Sequence, residues 1–290
     1  MQQDLDDLRA SFPSTADSVD RISELRDLTS VDAWTPIFEP RSLIEVVDGK
    51  PTLLTVDANG VNAWRRHVAD GSSARMRSLE IGVTAELRAG RITSAMAVAR
   101  AHMEVAGLAA LSCNVLYEAG GAGEFKPVEV LILGTYFGSS MRIQVKGTPV
   151  LGEFLRPEEV RPLRTGQMIK AMDDFRAGGG EPGTHCQLTY GLLSEYAHPA
   201  MRATSSSFAD VISESAEGWQ IRYHEGTGPD EASVNMVLEI LLSNMRIGHA
   251  SVALLNHAEV TDSDGAFGFE GPSLQQVHSI YEQLLQQQPD

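Results

Sequence analysis

The clearest pattern in this chain is a run of apolar positions at Val234, Leu238, Leu241, Met245, Gly248, Val252 and Leu255, alternating spacings of four and three. That alternation is the seam of a helix packed lengthwise against other helices, and it predicts a helix over 229–257. Shorter stretches of the same period predict helices near 74–88, over 92–117 and over 158–176. Glycines mark their ends: Gly120-Gly121 after the long second helix, and Gly178-Gly179-Gly180 after the third. Val128 to Phe137 is an apolar run without a decisive period. Pro127 and Glu129 resemble a first helical turn, so a buried helix is favoured over a strand there. A last amphipathic helix is expected over 273–286.

Two segments change period. Leu43 to Val56 is rich in β-formers around Asp48-Gly49, a hairpin signal, with Pro51 marking an edge. Residues 208–212 and 219–223 flank Ala216-Glu217-Gly218 and read as a second hairpin. Residues 1–33 carry Val19, Ile22, Leu25 and Leu28 among many acids, which predicts one or two short amphipathic helices. The fold class is therefore mainly α: a helical bundle of four or more long helices decorated by two β-hairpins. The expected division is an N-terminal appendage of amphipathic helices and hairpin over 1–72, and a bundle over 73–290 with an inserted hairpin near 207–224.

One short helix carries the densest polar chemistry. Over 184–198 the sequence places Leu188, Leu192, Leu193 and Tyr196 on one side of a helical wheel, and Tyr190, Ser194, Glu195 and His198 on the other. Tyr190, Ser194 and His198 are four residues apart and form one row on successive turns. Gly191 leaves a gap beside that row for a close approach. Pro199 stops the helix and makes His198 its natural last residue. A histidine at a helix C-terminus interacts favourably with the dipole, so a structural role for this row competes with a catalytic one.

Charge narrows the ligands. The 290 residues hold 23 basic and 39 acidic side chains, a formal charge of -16, so the long-range field repels phosphate backbones. RNA or a nucleotide is thereby disfavoured as a ligand. The two cysteines, Cys113 and Cys186, have no metal or redox spacing, and the acidic N-terminus lacks a secretion signal. No apolar run approaches the roughly 20 residues of a membrane span. A cytoplasmic protein without a membrane segment is expected.

Other motifs are weak. The glycine runs lack a phosphate-loop context, and neither a Gly-x-Ser-x-Gly elbow nor a His-Glu-x-x-His is present. Glu195-x-x-His198 has the one-turn spacing of di-iron bundles, but no second copy exists, so no metal or cofactor is expected. His102 and Glu104 on the 92–117 helix, and Arg246 and His249 on the 229–257 helix, are ionisable groups beside apolar stripes. Each reads first as a boundary residue; bundle geometry could also carry some of them to the polar row.

A long helix with Arg100 and Glu104, the segment Leu133-Gly134-Thr135, and Tyr-x-x-x-Ser-Glu-x-x-His-Pro at Tyr190 to Pro199 come in that order, before a hairpin and a long helix. This order resembles a group of uncharacterised bacterial helical proteins over about residues 90–258. The group is distantly similar to the higher-eukaryote-and-prokaryote nucleotide-binding (HEPN) superfamily, bundles that include RNA-cleaving toxins, antiphage effectors and non-catalytic members. The nucleases of that superfamily place an arginine four to six residues before a histidine on one helix. Here Leu192, Leu193 and Ser194 precede His198 at that spacing, and Arg246 to His249 is too short. The resemblance thus implies a non-catalytic bundle acting through binding in a bacterial defence or stress system, as a homo-oligomer or with a protein partner. The alternative is a metal-independent RNase in which His198 transfers protons, Ser194 and Tyr190 assist, and Arg100 or Arg246 positions phosphate. A regulator binding a metal or nucleotide through Glu195 and His198, with Glu104, Glu239 and His249 as improvised partners, is the third reading.

Overall fold

A computed structural model of the chain describes residues 2–27, 44–47, 50–53, 57–137, 163–178, 180, 182–197, 209–215, 218–223, 230–263 and 266–271. Among these residues the protein is mainly α, as the periodicity predicts. Its helices are α1 (Gln2–Ser11), α2 (Ala16–Asp27), α3 (Ala58–Arg88), α4 (Ile92–Ala122), α5 (Lys126–Phe137), α6 (Thr165–Gly178), α7 (His185–Ala197) and α8 (Glu231–His257). A 3-10 turn at Pro13–Thr15 joins the first two.

Three separate antiparallel hairpins accompany them: β1 (Ile44–Val47) with β2 (Lys50–Leu53), β3 (Ala209–Ser215) with β4 (Gly218–Tyr223), and β5 (Glu259–Ser263) with β6 (Ala266–Glu270). The first pairs Val47 with Lys50 in antiparallel register, the hairpin its sequence predicts. The second lies between α7 and α8 and has a register shift between Val211 and Ser213. The third, which pairs Val260 with Phe269, was not expected.

α4 is the hub, packing on α3, α5, α6, α7 and α8. A helix with neighbours on so many sides must be apolar and narrow nearly all round. Many of its buried residues are accordingly small, among them Ala95, Ala99, Ala106, Gly107, Ala109 and Ala110. At Gly107 a Cβ would lie 2.9 Å from the Met168 carbonyl oxygen, which shows how closely α6 approaches. On the other side, Val234, Leu238, Leu241, Met245 and Leu255 of α8 are fully buried, so the four-three seam is core. A Cβ on Gly248 would run into Met76 Sδ and come within 3.0 Å of Ala106 Cβ, marking where α3, α4 and α8 converge.

Several boundaries differ from the sequence reading. α3 begins at Ala58 rather than near 74, with Asp57 accepting a hydrogen bond from Gly60 N at 2.7 Å as N-cap. Asp70-Gly71-Ser72-Ser73 has poor helix propensity and looks like a break. The helix runs through it because Val68, Ala69, Ser72 and Met76 are all buried. The expected division at 72–73 therefore falls inside one helix, and α1 and α2 add Leu5, Leu8, Val19 and Ile22 to the common core. α4 likewise continues past Gly120-Gly121 and stops at Gly123, whose φ of 67° suits a left-handed cap. The place of the missing Gly120 side chain is taken by the Phe269 ring, which meets Tyr117 edge-on at 5.0 Å. The expected helix over 273–286 and the first turn expected from 158 lie outside the described residues.

Polar side chains fasten the ends of this assembly. Arg65 on α3 is buried and donates from Nη1 to the Leu255 and Asn256 carbonyls at the end of α8. Asn62, one turn earlier, donates to Val260 O at 2.6 Å and accepts from Val260 N at 3.0 Å, holding the start of β5. Among the described residues no helix is long and apolar enough to cross a membrane.

Candidate functional site

α7 is fixed to the hub from its first turn. Asp173, buried on α6, accepts hydrogen bonds from Cys186 N at 2.8 Å and Gln187 N at 3.2 Å, so a neighbouring helix caps the first turn of α7. Burial, with the Asp173 carboxylate beside it, pushes the Cys186 thiol up to about 12, leaving it an inert packing group at neutral pH.

That cap also decides which face of α7 turns inward. Cys186 and Leu193 are buried and Tyr190 is half-buried, so the inner stripe is 186–190–193. Leu188, expected in the core and more buried than Glu195, is instead 73% exposed, while Glu195 is half-buried. The wheel of a helix with mixed faces has two nearly equivalent solutions, and the anchoring through Asp173 selects the one that turns Tyr190 toward α4. Among the described residues nothing lies within 4 Å of the Gly191 Cβ position, so none of them makes the close approach expected there.

The inward turn assembles Tyr190 with Arg100 and Glu104 on α4. Arg100 donates to the Tyr190 hydroxyl from Nε at 3.1 Å and Nη2 at 2.7 Å, and its guanidinium lies 4.9 Å from the ring centre. The hydroxyl in turn donates to Glu104 Oε1 at 2.9 Å, and Arg100 Nε lies 3.3 Å from that oxygen. The phenol is thus a relay between one cation and one carboxylate, at the solvent-reaching edge of the α4–α7 seam. Arg100 and Glu104 are one turn apart, which is why both reach the same hydroxyl.

The rest of the expected row divides. Ser194 Oγ donates to Tyr190 O at 2.7 Å, a bond to its own helix backbone rather than an activated nucleophile. His198 lies outside the described residues. Arg246 is half-buried on α8. His249 is buried in the α3–α4–α8 core and makes no part of the Tyr190 cluster, contrary to its expected supporting role.

His249 belongs to a second polar centre. Glu80 on α3 is fully buried, and its Oε1 lies 3.5 Å from His102 Nε2 on α4 and 3.3 Å from His249 Nε2 on α8. Its Oε2 lies 3.4 Å from Nε of the buried Arg26, in the last turn of α2. Four helices therefore meet on one carboxylate, at separations on the outer edge of hydrogen bonding. Burial pushes Glu80 up, but the closely placed His102 and His249 side chains outweigh this and hold the carboxyl below its ordinary range. Burial pushes His102 down, against the pull of Glu80. A neutral imidazole can still donate Nε2–H to an ionised carboxylate, so both directions describe one state: Glu80 charged, His102 neutral, Arg26 the counter-ion.

The sequence held a signal for this centre. Arg26 follows Val19 and Ile22, Glu80 sits between Met76 and Val83, His102 between Ala99 and Ala106, and His249 between Met245 and Val252, always at steps of three or four. Each polar residue thus occupies a core position of its own helix, where a charge needs a partner from another helix.

Among the described residues no group of three or more His, Cys, Asp or Glu is arranged to hold a metal ion. In comparison with known proteins, no family model matches the chain, and neither a curated protein nor a solved structure matches it.

Proposed function

We propose that the chain is a non-catalytic binding protein, a HEPN-like bundle of a bacterial defence or stress system that works by protein contact through the outer face of α7. The observation that carries this reading is the state of the row's hydroxyls. Ser194 is bonded to the backbone of its own helix, and Tyr190, held between Arg100 and Glu104, fixes α7 on α4, so both hydroxyls are engaged in structure rather than in chemistry. Fixing the helix this way leaves Leu188 facing outward as an apolar contact, and a second copy of the chain is its first partner. The net charge of -16 favours a protein over a nucleic acid.

The test has two arms. Wild type and His198→Ala, incubated with tRNA without added metal, are expected to leave the RNA intact alike. Sedimentation of wild type and Leu188→Glu is expected to show self-association that the charge weakens. Equal monomers at every concentration would remove the second copy from the reading. Cleavage that His198→Ala abolishes while circular dichroism stays unchanged would replace the whole reading by the RNase.

One observation favours that RNase. An arginine from another helix, Arg100, does reach the row, as phosphate positioning would require. In that case Arg100→Lys should lower the cleavage rate more than it disturbs folding, because a point charge cannot reproduce the planar fork.

A further inference from the structure

The Glu80 centre is outside the Tyr190 cluster, and no helix supplies more than one of its four members. Three members, Glu80, His102 and His249, come from helices of the central core. The fourth, Arg26, comes from the α1–α2 pair, the layer laid over α3 and α8. Arg26 is thus the only member whose withdrawal does not require the three core helices to part.

We propose that residues 2–27 form an acid-released arm, in which Arg26 and the imidazole of His102 compete for the single buried carboxylate of Glu80, which His249 also faces. At neutral pH the His102 imidazole, which burial holds down, is uncharged and Arg26 is the counter-ion. When His102 takes up a proton, Glu80 gains a second cation at 3.5 Å, and the positive charges now repel one another in a site that burial leaves poorly screened. Only Arg26 can move into water, and the arm goes with it. Proton uptake by His102 is in turn easier once the arm has lifted, since water then reaches its imidazole and the charge of Arg26 has gone. Acid and opening therefore promote each other, as linkage requires.

The surrounding charges fit this assignment. Arg77, one turn before Glu80 on α3, donates to the Arg26 carbonyl at 3.0 Å and adds to the positive side, while Asp4 on α1 draws Arg26 in the other direction. Asp4 and Asp7 pair with Arg88, Ser14 N donates to Glu231, and Ser18 Oγ donates to Glu239. None of these outer contacts involves a histidine, the side chain whose charge changes over about pH 7.5 to 5.5. Release in that range is an event of the buried centre alone.

Hydrogen exchange of the full chain, corrected for the intrinsic effect of pH, tests the arm against an internal standard. From about pH 7.5 to 5.5, protection of peptides within 2–27 is expected to fall by up to about tenfold per pH unit for one linked proton, while α4 and α8 keep theirs. Arg26→Gln should show the open arm already at the higher pH and little change on acidification. Arg26→Lys, which keeps the charge, should retain the pH response and covers the case in which Arg26→Gln does not fold. An arm whose protection is flat across the range in wild type, or falls only together with that of α4 and α8, overturns the proposal.

Discussion

Glu80 is the residue on which most of the core's electrostatics turns. A buried carboxylate is tolerated only with partners, and Arg26, His102 and His249 supply them from three other helices. Replacing it with alanine leaves a guanidinium buried at the end of α2 without this counter-ion, a class of change that costs about 3–5 kcal/mol. Glu80→Ala is therefore expected to lower the urea midpoint strongly. Glu80→Gln, similar in shape and able to hydrogen-bond, should lie between it and wild type. A midpoint within error of wild type for both would show that the carboxylate is not the counter-ion of Arg26. The position of Glu80 was legible as a core step between Met76 and Val83. What it meets there was not, because nothing local states that Arg26, His102 and His249 converge from other helices.

At the scale of elements, the sequence shows best those whose pattern is self-contained. The α8 seam is continuous over its 27 residues, and the α5 run folds as the helix that Pro127 and Glu129 indicate. Elements set by distant partners were hidden: burial carries α3 through Asp70-Gly71, and α7 is rotated by a cap that comes from Asp173 on α6. Removing that cap by Asp173→Ala should cost about 1–2 kcal/mol and loosen α7 before the rest, seen as faster amide exchange over 186–197. Uniform loss of protection across the chain would refute its local role. Glycine offers a sharper contrast. No described residue lies within 4 Å of the Gly191 Cβ position, so Gly191→Ala should raise stability by about 0.5–1 kcal/mol through helix propensity. Gly107→Ala gains the same propensity, yet its methyl would press on the Met168 backbone, which cannot rotate away. Its denaturation midpoint should fall, and a rise would mean that α6 yields more easily than its packing implies.

For the whole molecule the decisive question is whether acid stabilises or destabilises it, because two effects of opposite sign compete. The charge of -16 repels itself, and titrating surface carboxylates toward the pI near 4.9 relieves that repulsion. The buried centre works the other way. His102 has a folded pKa below its unfolded value near 6.5, so the unfolded chain binds the extra proton and stability is lost as pH falls from about 6.5 toward the folded value. Glu80 is depressed as well, so its contribution, complete above the unfolded carboxylate value near 4.3, is lost as pH falls below it. Surface repulsion is spread over exposed groups and screened within about 10 Å at 0.1 M salt, whereas the Glu80 site is out of reach of counter-ions. In moderate salt the buried term should therefore win. Urea unfolding at about 0.3 M salt is expected to show stability level above about pH 7, declining between about 6.5 and 5, and declining again below about 4.5. His102→Gln should remove the first decline and leave the second. A stability that climbs without interruption from pH 7 to the pI would show that relief of surface repulsion, rather than the buried centre, governs how this bundle responds to acid.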